Sequence, residues 1–299
     1  MKTYIRLFVV SGLTLCAALW TMPEAAHAQI YVTTFEYDTI GEYNLDGTTI
    51  NASLVSGLTY DPDGIAVSGG NLFVANLEGG TIGEYTTLGA TVNASLVSGL
   101  NGPSNVAVSG GDLFVVSTGS GTIGEYNLDG TTINASLVSG LTYAPEGIAV
   151  YGGNLFVANG QSGTIGEYTT SGGTVNASLV SGLNRPYGIA VSGGDLFVAN
   201  ERSGTIGEYT TSGATVNAAL VSGLNEPVGI AVSGGDLFVE NGGSGTVGEY
   251  GLDGTVINAS LISGLDTPYG IAVVVPEPTT LALAGFGGLS LLFFRRRRK

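Results

Sequence analysis

Pro186-Tyr187-Gly188-Ile189-Ala190-Val191-Ser192-Gly193-Gly194-Asp195-Leu196-Phe197-Val198-Ala199-Asn200, continued by Thr205-Ile206-Gly207-Glu208-Tyr209 and by Thr215 to Val221, is the stretch that decides the fold. Gly188 to Val191 reads as a short strand and Ser192 to Asp195 as a hairpin turn. Leu196 to Ala199 is a second strand, Asn200 to Gly204 a loop, Thr205 to Tyr209 a third strand, and Thr215 to Val221 a fourth, outermost one. Short runs rich in β-branched and aromatic residues, punctuated by Gly, are strand signals. No sustained helical period interrupts them.

The unit recurs. Gly-Glu-Tyr places its Tyr at 43, 85, 126, 168, 209 and 250, and Asn-Ala recurs at Asn51, Asn93, Asn134, Asn176, Asn217 and Asn258. Gly-Ile-Ala-Val recurs at Gly64, Gly147, Gly188, Gly229 and Gly270, with Asn105-Val106-Ala107-Val108 as the divergent sixth copy. Four antiparallel strands in a repeat of about 41 residues make one propeller blade, and six copies predict an all-β, six-bladed β-propeller over residues 29–275. The phase predicts closure. The body opens on Ile30-Tyr31-Val32, a second strand, and ends after Gly270-Ile271-Ala272-Val273, an inner one. Pairing the two closes the ring and removes exposed sheet edges.

Pro-x-Gly-Ile-Ala-Val, followed by Gly-Gly-(Asp/Asn)-Leu-Phe-Val-Ala-Asn and an Ile-bearing strand, resembles the NHL repeat over nearly all of the body. The resemblance implies a six-bladed propeller and little about activity, since such propellers serve many functions. This chain departs from the family's pattern by carrying Ser after Gly-Ile-Ala-Val, and Thr where a basic residue often precedes the third-strand Ile. Composition points the same way. Residues 29–275 hold no Cys, His, Lys, Trp or Met, and Arg185 and Arg202 face 22 acidic residues. A nucleic-acid partner, which needs a basic surface, is therefore not expected, and no disulfide can form.

Both ends read as addresses. Lys2 and Arg6, an uncharged run from Leu7 to Trp20, and Ala26-His27-Ala28 form a signal-peptide pattern over residues 1–28, with cleavage expected after Ala28. At the other end, residues 276–299 carry Pro276-Glu277-Pro278, an uncharged stretch from Thr279 to Phe294, and Arg295-Arg296-Arg297-Arg298-Lys299. This tail resembles the PEP-CTERM sorting signal. It implies a transmembrane helix before processing, an exosortase-type processing enzyme as partner, and a body delivered to the cell envelope, surface or extracellular matrix. The basic terminus would hold the tail's end in the cytoplasm.

The six Gly-Glu-Tyr carboxylates form a ring that is read as structural, with each Tyr packing between blades. The second-strand Asn residues are read as bonding to the loop that follows. The Asn-Ala-Ser sequons at Asn51, Asn93, Asn134, Asn176 and Asn258 are read as a by-product of the repeat. The binding face is expected where near-identical units stop being identical. Those places are the residues before each inner strand and the loops after each second strand, which emerge on one face. Arg185, Tyr187 and Arg202 fall there, with Asp63, Glu146 and Tyr269, and Arg with Tyr among carboxylates suits a sugar or an anionic group. Two functional classes stay open: a binding or structural surface module, with exopolysaccharide or another surface ligand as its partner, and a calcium-dependent, lactonase-like hydrolase using residues such as Asp61, Asp63 and Glu146. No cofactor is expected for the first class and calcium for the second. No catalytic residue is assigned, since the body lacks His, Cys and Lys.

Overall fold

The structure, a computed structural model, describes residues 28–58, 61–141 and 144–274. Twenty-four strands form six four-stranded sheets. Numbering the blades around the ring, the inner strands of blades 2 to 6 are Pro62–Ser68, Pro103–Ser109, Pro145–Tyr151, Pro186–Ser192 and Pro227–Ser233. Blade 1 takes its inner strand, Pro268–Val274, from the far end of the chain. That strand pairs antiparallel with Gln29–Thr34, matching Ile271 to Val32 and Val273 to Ile30. Each inner strand packs against the next, Pro268–Val274 against Pro62–Ser68 included, so the ring is closed around a central channel. The inner strands start two residues earlier than the Gly-Ile-Ala-Val runs suggest, at a Pro whose missing N–H is harmless at the first position of a strand.

Burial explains the sequence of each strand. The second strand lies between two neighbouring blades, so both of its faces are covered and Leu196-Phe197-Val198-Ala199 is apolar throughout. Burying one such Phe or Val contributes about 1.5–3 kcal/mol, which makes these strands the main source of stability. The outer strands expose most of their side chains; in Thr215–Ser222 only Leu220 and Val221 are covered. Six apolar clusters fill the seams between blades. In one of them Phe156, Ala158 and Ile165 of blade 4 meet Ile189, Leu196, Val198 and Tyr209 of blade 5. Tyr209 and Gly207 share a face, being two apart on a strand, and the ring lies back over the glycine. A Cβ at Gly207 would come within 2.6 Å of the Tyr209 hydroxyl. The Gly-Glu-Tyr motif is thus a seam-packing device.

Candidate functional site

One feature of the backbone builds the variable face. The residue before each inner-strand Pro is left-handed, with φ of 45–60° at Asp61, Ala144, Arg185, Glu226 and Thr267 and 62° at Gly102. The turn aims that residue's carbonyl at the first N–H after the second strand of the same blade. Arg185 O accepts from Glu201 N at 3.1 Å and Ala144 O from Gly160 N at 2.9 Å. Each pair of variable loops is thereby tied together at one end of the channel.

Between blades 4 and 5 these loops enclose a polar cleft of about 460 Å³, walled by Glu146, Gln161, Ser162, Asn184, Arg185 and Arg202. Both arginines of the body meet there. Arg185 Nη1, on a half-exposed side chain, donates to Oε1 of the largely covered Glu201 at 2.6 Å. Arg202 has no ion-pair partner among the described residues. Burial raises the Glu146 carboxyl to about 7, opposed by the Arg185 guanidinium and by a long contact from the Thr118 hydroxyl. At neutral pH the cleft therefore offers a guanidinium, amides and a carboxyl poised to take or release a proton.

The other expected site residues lie elsewhere. Tyr187 does not share the cleft with Arg185. Its side chain is buried, and its hydroxyl donates to Asp63 at 3.0 Å. Asp63 belongs to blade 2 and Tyr187 to blade 5, opposite each other in the ring, so this bond spans the channel. Stacking on a surface ligand is closed to a ring held in this way. Asp63 itself is buried, and its carboxyl is held well above the usual carboxylate range by burial and then by Glu146. Tyr269 lies edge-on to Tyr187, with ring centres 5.9 Å apart, and packs on Phe35. Asp61, Asp63 and Glu146 do not converge: among the described residues no three Asp, Glu, His or Cys side chains gather as a metal cage.

Of the Gly-Glu-Tyr ring, Glu42, Glu84 and Glu167 accept bonds of 2.6–2.7 Å from Gln29, Asn71 and Asn154. In the other three blades an Asp replaces the amide, and burial and then that Asp raise the carboxyls of Glu125, Glu208 and Glu249.

One residue escaped the sequence reading. Glu240 is fully buried, and neither carboxylate oxygen has a hydrogen-bond partner. Its signal was present, since Phe238-Val239-Glu240-Asn241 breaks the Phe-Val-Ala-Asn pattern of residues 73–76, 156–159 and 197–200.

The signal-peptide and tail-helix readings lie outside the described residues, and no helix of the described residues is long and apolar enough to cross a membrane. The sequence of the tail is informative in itself: residues 274–298 match the PEP-CTERM protein-sorting motif. No curated protein matches the chain. Among solved structures, a chain of a nidogen/laminin complex superposes with a TM-score of 0.73 at 16% identity, covering 83% of this chain and 98% of that one. Virginiamycin B lyase from Staphylococcus aureus gives 0.63 at 20%, covering 82% and 84%. A protein of unknown function from Bacteroides caccae gives 0.63 at 16%, covering 84% and 100%. At these identities the likeness is one of fold. The chain is a closed six-bladed propeller carrying a PEP-CTERM sorting signal, a signal recognised by exosortase that directs it to the cell envelope or surface.

Proposed function

We propose that the propeller is a surface-displayed binding module and that the cleft between blades 4 and 5 takes an anionic, polyhydroxylated ligand such as an acidic extracellular saccharide. The convergence of both arginines of an otherwise acidic body on one polar cleft carries this reading. A guanidinium holds a carboxylate or sulfate through two parallel hydrogen bonds, while Gln161, Asn184 and Ser162 supply donors and acceptors suited to hydroxyls. A binding role is favoured over hydrolysis or elimination. A catalytically inactive variant of virginiamycin B lyase carries Ala in place of His, and the one His of this chain, His27, lies in the leader pattern.

The test is retention on the host's own extracellular polysaccharide. Arg202→Ala should weaken retention by about tenfold, the scale of one lost charge-assisted contact. Glu226→Ala, on the same face but outside the cleft, should leave it unchanged. Equal retention by Arg202→Ala and the native protein would remove the cleft as the site.

A further inference from the structure

Residues 160–163, the loop between the second and third strands of blade 4, form a ridge between two cavities. On one side lies the arginine cleft. On the other, at the seam with blade 3, lies a pocket of about 210 Å³, walled in part by Leu141, Asn159, Ser162, Thr164, Tyr168 and Ala177. Ser162 lines both cavities. Their chemistry differs. No charged side chain lines the pocket, whereas the cleft holds both arginines and Glu146. Leu141, Tyr168 and Ala177 give the pocket an apolar side, and Asn159, Ser162 and Thr164 a polar one. The two hydroxyls are bonded in a chain of fixed direction. Ser162 Oγ donates to the Asn159 carbonyl at 3.3 Å, which uses its one hydrogen. Thr164 Oγ1, 2.8 Å from Ser162 Oγ, is then the donor of that pair, and it accepts from Asn159 Nδ2 at 3.4 Å. Both hydroxyl hydrogens are thus spent within the chain, and each hydroxyl oxygen keeps a lone pair to spare.

An anion placed in this pocket would meet lone pairs. A neutral, hydroxylated ring would find acceptors for its O–H groups and an apolar wall for its C–H face. The volume lies below the ~300–1,000 Å³ of pockets for drug-sized ligands, and it suits a single sugar ring. Across the ridge the guanidinium groups are donors only, which suits a charged unit. Gln161 and Ser162 are exposed on the ridge between them, so a linear ligand crossing it fills both cavities at once. We propose that the pocket is a second subsite of the cleft and takes a neutral sugar residue next to the acidic one, so that the ligand is a linear acidic polysaccharide in which charged and uncharged residues are neighbours. The subsite rests on the saccharide reading of the cleft and adds to it an order of units. Similar hydroxyl pairs recur in blades 5 and 6, Ser203 with Thr205 and Ser244 with Thr246 at 2.9 Å. The pair in blade 4 is joined to the cleft by Ser162 itself.

The experiment measures retention of the full chain, in detergent, on the host's own extracellular polysaccharide at about 50 mM and about 500 mM sodium chloride. Ala177 is exposed on the outer strand Thr174–Ser181, so Ala177→Trp should fold and fill the pocket. It should weaken retention by about tenfold. Thr164→Val keeps the shape, removes one acceptor and should weaken retention about threefold; it carries the test if the larger residue disturbs the blade. Both losses should be equal at the two salt concentrations, because no charge lines the pocket, whereas the loss from Arg202→Ala should shrink in high salt. Native-like retention by Ala177→Trp and Thr164→Val, with Arg202→Ala still weakened, would overturn the second subsite and leave the cleft standing. Unchanged retention in all three variants would remove cleft and subsite together. Losses in the pocket variants without one in Arg202→Ala would also overturn the pairing, since the pocket would then bind a neutral ligand on its own. An Ala177→Trp loss that fades in high salt would do so as well, because it would come from the arginines rather than from the pocket.

Discussion

Glu146 shows how a single carboxyl couples the cleft to pH. Its folded value of about 7 stands above the 4.5 of the free side chain, so between these values the folded protein holds a proton that the unfolded chain has released. Stability contributed in this way is complete below pH 4.5 and is lost as pH rises through about 7. The native protein should therefore lose about 2–3 kcal/mol between pH 4.5 and pH 7 on account of this group. Glu146→Gln should flatten that part of the curve in denaturant titrations across the range. An unchanged slope would show that Glu146 is solvated and ordinary. Asp63 and Glu240 shift in the same direction, so some slope should persist in the variant. The sequence made Glu146, Arg185 and Arg202 visible because they interrupt a repeat on one face. It could not show that Tyr187, next but one to Arg185, turns across the channel, because radial direction depends on the position of the opposite blade. Glu240 was equally visible as an interruption, but it lies within a strand rather than in the varying loops where a binding face was sought.

At the scale of elements, the strands were legible because each blade repeats them and seam burial dictates their composition. What the sequence left unexplained was the Asn-Ala recurrence. In every outer strand the Asn side chain accepts the backbone N–H two residues on at 3.1 Å, next to the point where the register with the third strand shifts. Asn217 makes this bond although Ala219 stands in place of Ser, so the sequon hydroxyl is incidental and the Asn is the conformational element. A bulge capped in this way also keeps a free outer edge from serving as a pairing template. The left-handed residues before the inner-strand prolines carry the opposite lesson. Five non-glycine residues hold a conformation that costs an L-residue about 1–2 kcal/mol, and only Gly102 holds it freely. Ala144→Gly should thus stabilise the protein by about 0.5–1 kcal/mol, after the added freedom of the unfolded chain is counted. Chemical denaturation would measure the change. A destabilised variant would mean that the Ala144 methyl packs better than its backbone is strained.

Over the whole molecule, closure rests on one strand. The sorting motif begins at residue 274, the last residue of the strand that completes blade 1, so the segment that closes the ring runs directly into the segment that targets the chain. That strand buries Ile271 and Ala272, pairs with Gln29–Thr34, and supplies the Tyr269 carbonyl opposite Glu240. Replacing the buried Ile271 by Ala should cost about 2–4 kcal/mol, lowering Tm without opening the ring. Deleting residues 270–274 should do something different in kind. It removes the ladder to Gln29–Thr34 and bares a strand edge on blade 1, while the seam to Pro62–Ser68 loses its partner. An exposed edge on a flat strand recruits other chains, so the deletion should yield oligomers or aggregate as well as a lower melting temperature, whereas Ile271→Ala should remain monodisperse. Light scattering during the melt separates the two effects. If the deleted protein melted cooperatively within a few degrees of Ile271→Ala and stayed monodisperse, the other five blades would be holding the ring shut without the terminal strand. The channel would then not depend on the chain ends meeting.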